Sequence, residues 1–162
     1  MSEERARLTP SGAAEAGLPG DPALFKAMSE IAMIAHLSDI LFARLLPDGL
    51  TPAQFGVLNR LVRLRRLETI SELSRAFQVA QPTMTSTVKK LAAKGLVVLR
   101  PDPKDRRARR IDITAEGESA RAAGIAALAP VREEVAREAP ELDFEALLPA
   151  LTAIRVFLDA RR

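Results

Sequence analysis

The spacing of apolar residues divides the chain into helical stretches separated by short polar breaks. Residues 1–20, "MSEERARLTPSGAAEAGLPG", are small and polar with scattered Pro and Gly, and read as a flexible arm. The run "FKAMSEIAMIAHLSDILFARLL" then gives a helix, with Asp21 as its N-cap and Pro22 at the first helical position. It is apolar around most of its circumference, so it must be covered on nearly all sides. A chain of this size cannot do that alone, which points to a helix from a second copy. Thr51-Pro52-Ala53-Gln54 has the form of a capping box with a pre-set first turn, and Phe55, Leu58, Leu61 and Val62 supply the buried stripe behind it. "RLRRLE" closes that helix with cations, which suit the negative end of the helix dipole. Thr69-Ile70-Ser71-Glu72 repeats the box and opens a short helix carrying Leu73, Ala76 and Phe77. After the turn "QVA", a further helix starts near Gln81-Pro82 and runs to Lys94, where Gly95 stops it. "LVVLR" (96–100) and "RIDIT" (110–114) read as the two strands of a hairpin. One long helix follows from about Thr114, kinked by Pro130, and a last one from about Asp143 spaces Leu147, Leu151, Ile154 and Leu158 along one face.

Short helix, turn, second helix, hairpin is the order of a winged helix-turn-helix. The expected fold is therefore mainly α with a small β-hairpin: a winged helix-turn-helix lobe over 49–114 and a helical dimerisation region made of 21–48 and 115–162. Stepping 100° per residue along the second helix from Met84, Val88 and Leu91 fall within about 40° of it and pack inward. Pro82, Ser86, Lys89 and Ala93 fall within about 50° of the opposite pole, flanked by Thr83, Thr85 and Lys90. No acid occurs from Gln81 to Lys94. Such a face is either merely solvated or fit for a major groove, where short hydroxyls meet base edges or phosphates and Lys89 reaches a guanine acceptor or a phosphate.

Charge sharpens the choice. From Arg100 to Arg110 six cations stand against Asp102 and Asp105, a local excess of four, whereas the whole chain carries only +3. The positive charge is thus concentrated at one tip, and everything else is slightly negative. Alone, "DPKDRRARRIDIT" could be a solvated charged turn. Directly after a helix with an acid-free outward face, it reads as a wing whose Arg enters a minor groove, where the potential is most negative. Asp105, among the arginines, then serves as a brace that shapes them through charge-assisted hydrogen bonds.

Composition removes several classes of function. There is no Cys, which excludes disulfides, thiolate metal sites and thiol redox sensing. A single His and scattered carboxylates give no ligand set for zinc or copper. No phosphate-binding Gly loop and no nucleophile–base pair is present, so the chain does not read as an enzyme, and no cofactor is implied. Neither a signal peptide nor an 18-residue apolar run occurs, so a cytoplasmic, nucleoid-associated protein without a membrane partner is expected. His36, midway along the first helix, is either structural or, with Arg44, a receiver for an anionic, aromatic-acid effector.

Three stretches, "LTPAQFGVLNRL", "TISELSRAFQVAQPTMTSTVKKLAAKGLV" and "DPKDRRARRIDITAEG", together resemble the MarR family of transcriptional regulators over about residues 50–117. The wing pattern after the "T..ELS" helix pair is specific; each piece alone is weak. The resemblance implies a homodimer on a pseudo-palindromic double-stranded DNA operator, usually repressing and often relieved by a small ligand held between the dimerisation helices and the lobe. It assigns Pro82, Thr83, Thr85, Ser86 and Lys89 to the recognition helix, Arg107 to the minor groove and Asp105 to its support. Gln81, Lys90 and Arg106 complete the candidate contact set. Ala80 departs from the Ser that relatives commonly place at the start of the recognition helix. The alternative on sequence grounds is a sequence-tolerant architectural DNA-binding protein without an effector; the intact basic wing and acid-free helix face argue against a protein-interaction module that has lost DNA binding.

Overall fold

A computed structural model of the protein describes Leu18 and residues 20–102 and 109–161. Most of the expected arm, residues 1–17 and Pro19, lies outside the described residues, as do Asp105, Arg106 and Arg107. The described elements run in the order α1 (Ala23–Leu45), α2 (Pro52–Leu64), β1 (Glu68–Thr69), α3 (Ile70–Phe77), α4 (Gln81–Ala93), β2 (Val97–Pro101), β3 (Arg109–Ile113), α5 (Ala115–Ala126), α6 (Ala129–Glu138) and α7 (Phe144–Asp159). The protein is mostly helical with one small sheet.

Side chains fix the helix starts in the central lobe. Thr51 Oγ1 accepts from Gln54 N–H, and Gln54 Oε1 accepts in return from Thr51 N–H, both at 3.3 Å. The same reciprocal pair opens α3, with Glu72 N–H donating to Thr69 Oγ1 at 3.2 Å and Thr69 N–H to Glu72 Oε2 at 2.7 Å. Both helices end on a residue in the left-handed region, Arg65 (φ 47°) and Gln78 (φ 54°). Neither is Gly, so each end was harder to read from sequence than that of α4, where Gly95 takes φ 72°. Around these helices Val57, Leu58, Leu73, Val88, Leu91, Val97 and Ile111 are almost fully buried. Each such side chain contributes roughly 1.5–3 kcal/mol relative to exposure. Phe42 stacks on Phe55 at 5.7 Å between ring centroids and ties the end of α1 to α2. A Cβ on Gly117 would overlap the Leu96 carbonyl oxygen, so α5 can lie this close to the start of β2 only because that residue is Gly.

The sheet has three antiparallel strands in the order β1-β3-β2, not the expected two. β1 pairs Glu68 with Ile111 and Thr69 with Arg110, and β2 pairs Leu99 with the same Ile111. A two-residue strand has no alternation to detect, which is why "RLRRLE" passed as a plain helix ending. Two further expectations differ from the structure. Asp21 does not cap α1: its carboxylate accepts from Leu18 N–H at 2.6 Å, and Pro22, with no side-chain cap, precedes the first helical residue. The long helix expected from Thr114 is two helices, α5 and α6, and Pro130 lies in the first turn of α6, where its missing N–H costs no hydrogen bond. The last helix starts as expected, with Asp143 Oδ1 accepting from Ala146 N–H at 3.0 Å.

Candidate nucleic-acid interface

α4 presents the face that the sequence predicted. Met84, Val88 and Leu91 pack into the core, while Gln81, Pro82, Thr83, Ser86, Lys89, Lys90 and Ala93 are exposed and Thr85 is half-buried. Gln81, Pro82, Thr85, Ser86, Lys89, Lys90 and Ala93 line one shallow concavity along the helix. The hydroxyls are not equivalent. Thr85 Oγ1 donates to the Gln81 carbonyl at 2.8 Å, which leaves it as an acceptor, and Thr87 does the same to Thr83 at 3.1 Å. Gln81 is likewise partly engaged, its side-chain amide donating to Ser71 Oγ at 2.9 Å. That bond ties the start of α4 to α3, at a point where Ala80 offers no side-chain cap.

The far end of α4 is held by a contact that the sequence reading missed. Lys94 Nζ donates to the carbonyls of Asp48 and Gly49 at 2.9 and 2.8 Å. Both of those residues have positive φ, 56° and 62°, so two successive carbonyls meet one ammonium. Lys94 is thus a strut between α4 and the α1–α2 turn, not a free cation on the helix.

The base of the wing is described, and its charges are sorted. Arg100 Nε pairs with Asp112 Oδ2 at 2.8 Å across β2 and β3. Arg110 Nε pairs with Asp102 Oδ2, also at 2.8 Å, and Arg110 Nη1 donates to the Leu67 carbonyl at 3.2 Å. Asp102 is only 6% exposed. Two of the six cations of this stretch are therefore held in ion pairs, the exposed Arg100 by Asp112 and the half-buried Arg110 by the buried Asp102.

Behind β1 lies the other feature not foreseen. The Glu68 carboxylate is completely buried, and it accepts from Arg60 Nε at 2.7 Å, Arg60 Nη2 at 2.8 Å and Arg66 Nη2 at 3.0 Å. The hydrogen bonds to Glu68 raise the Arg60 guanidinium above its ordinary value. At α3, the Thr69 N–H holds the Glu72 carboxyl below the usual carboxylate range. The available signal for Glu68 was a single acid set among Arg60, Arg63, Arg65 and Arg66 directly before a capping Thr.

His36 and Arg44 are both exposed on α1, eight residues apart and about 80° around the helix. Among the described residues no group of three or more His, Asp or Glu could hold a metal ion, and no helix is long and apolar enough to cross a membrane.

A three-helix lobe with an outward third helix and a β-hairpin at its edge defines the winged helix-turn-helix class. The model of the MarR family matches residues 48–108. Solved structures agree in fold over most of the chain. The transcriptional regulator BldR of Sulfolobus solfataricus is 28% identical with a TM-score of 0.67, the match covering 82% of this chain and 94% of BldR. The regulator MOSR of M. tuberculosis, solved in complex with DNA, is 26% identical with a TM-score of 0.62, covering 84% and 98%. PcaV of Streptomyces coelicolor, solved with its natural ligand, is 18% identical with a TM-score of 0.65 over 90% and 100%, a likeness of fold alone. No curated protein matches the sequence. The match to the MarR family model thus falls on the winged-helix lobe, from the turn before α2 to β2.

Proposed function

We propose that the protein is a homodimeric, sequence-specific repressor of transcription that reads a pseudo-palindromic operator and is released by a small anionic effector. The observation that carries the DNA reading is the exposed, acid-free face of α4, next to a hairpin whose base is fixed by ion pairs. In this reading Gln81, Pro82, Thr83, Thr85, Ser86, Lys89 and Lys90 meet the major groove, Arg106 and Arg107 meet the minor groove, and Asp105 supports them. The lobe is the segment 49–114. The segments 21–48 and 115–162 form the dimer, supported by the apolar side chains that α1 and α7 leave exposed. Two recognition helices related by a two-fold axis then enter major grooves about one helical turn apart.

The first test is selection of duplexes from a randomised pool at physiological salt, followed by sequencing. A two-fold symmetric consensus is the expected result. Retention of DNA without a consensus would favour the architectural reading, and the two also differ in the ratio of specific to non-specific affinity, several orders of magnitude for a regulator. Arg107→Ala should weaken binding and flatten its salt dependence, while Lys89→Ala should weaken binding and alter base preference as well. His36 and Arg44 are the proposed effector contacts. Unchanged affinity for an aromatic acid by calorimetry in His36→Ala and Arg44→Ala would remove them.

A further inference from the structure

The buried carboxylate of Glu68 stands where three parts of the lobe join. It is bound by Arg60 of α2 through a two-pronged guanidinium contact and by Arg66 from the loop before β1. Its own strand is two residues long, and those residues pair with Ile111 and Arg110 of β3, the central strand of the sheet. The next residue, Thr69, is at once the end of β1 and the N-cap of α3, the first helix of the helix-turn-helix. Arg110, paired with Thr69, also reaches the Leu67 carbonyl and pairs with Asp102 at the base of the hairpin. Thus α2, the hairpin and the helix-turn-helix all meet within two residues of Glu68.

Energetics argue that this arrangement is not there for stability. Burying the Glu68 carboxylate costs several kcal/mol, its partner Arg60 is itself still 31% exposed, and exchanging such an ion pair for apolar side chains of similar volume is often neutral or stabilising. What an apolar pair lacks is direction: a guanidinium fork on a carboxylate fixes distance and orientation together. A strand of two residues has little else to hold it in register.

From this geometry we infer that Glu68 is a positioning residue for DNA binding: gripped by Arg60, it fixes β1 to α2 and, through β3, sets where the wing stands relative to the recognition helix. The inference rests on the DNA-binding reading above. Asp159, at the end of α7, lines the same cleft as Arg60, so the anchor also faces the helical scaffold.

The test uses the double variant Arg60→Met with Glu68→Met, which exchanges the ion pair for an apolar one, on a duplex selected with the wild-type protein. The melting temperature should stay the same or rise. Affinity should fall by about tenfold, and the slope of log affinity against log salt should drop by about one to two phosphate contacts. Amide exchange should quicken at residues 68–69 and 109–113 while α4 keeps its protection. Unchanged affinity and slope in a folded double variant would overturn the inference. If the double variant does not fold, Arg60→Lys keeps the charge and loses the fork, and it should move affinity, slope and exchange in the same directions; no movement in any of the three overturns the inference equally. A wild-type protein that retains no duplex would instead remove the function proposed above. Amide exchange would then still decide whether the ion pair anchors β1 and β3.

Discussion

The lobe and the helical scaffold of this protein are built on opposite terms. From α2 to β3 the chain buries its own apolar residues, caps α2 and α3 with reciprocal hydrogen bonds, and closes its loops with struts such as Lys94 and Arg110. In α1, α6 and α7 no residue is fully buried. Phe25, Met33, Ile34 and Leu37 on α1 and Phe144, Leu147, Leu148 and Leu151 on α7 all stand about half exposed. Large apolar side chains gathered in this way on two helices are what an interaction surface presents. The lobe thus holds most of the buried core, whereas α1, α6 and α7 leave their apolar side chains largely uncovered in the single chain.

That contrast can be broken most sharply on α7. Leu147 and Leu151 are one turn apart on the same face, 46% exposed each, so acids there stay open to water in the single chain. In a dimer they would place two unpaired charges per subunit in an apolar interface, at several kcal/mol per charge. Leu147→Asp with Leu151→Asp should therefore weaken association by more than about a hundredfold. Sedimentation velocity would show the mass fall to that of one chain, with the lobe still folded. A variant that stays dimeric would mean that this face is not the interface.

The converse experiment is on the lobe. Leu58 is completely buried, and Leu58→Ala should cost about 2–5 kcal/mol, read as a lower urea midpoint at any protein concentration. Gly117→Ala comes next. Its methyl group would overlap the Leu96 carbonyl, a backbone atom that cannot swing aside, so a loss of about 1–3 kcal/mol is expected. Stability unchanged by that methyl would mean that α5 does not press on the lobe as described. Smaller, and of opposite sign, is Ala80→Ser. The Ala80 backbone is extended (φ −61°, ψ 145°), ready for a capping hydroxyl that Ala lacks. The substitution should stabilise the protein by about 0.5–1 kcal/mol in the same denaturation assay.

The same contrast explains what the sequence disclosed. Capping residues act on their own backbone within three residues, so Thr51 with Gln54 and Thr69 with Glu72 were legible as local signals, and so was the inward stripe Met84, Val88, Leu91. Pro130 was visible too, but its meaning depended on whether the helix was already interrupted at residues 127–128, which spacing alone does not settle. The struts were not legible because each is long-range. Lys94 meets carbonyls some 45 residues away, Arg110 reaches back 43 residues to Leu67, and Glu68 is buried by a strand pairing that only the folded sheet creates.

The smallest effect we predict tests whether the lobe's local caps matter independently of the scaffold. The Glu72 carboxyl lies below its ordinary value near 4.5, chiefly because the Thr69 N–H donates to it, and the Thr69 hydroxyl adds to this. A carboxyl depressed in the folded state contributes stability that is fully present above its unfolded value. That contribution is lost as pH falls through the lower, folded value. Glu72→Gln keeps an acceptor for the Thr69 N–H but does not titrate, so the capping box survives in weaker form. The variant should be slightly less stable than wild type at neutral pH, and the gap should close as pH falls below 4.5. Urea midpoints measured from pH 7 down to about 3 would trace the difference. A constant gap over that range would show that the hydrogen bond is worth the same whether or not the carboxyl is ionised, and the charge on Glu72 would then have no part in starting α3.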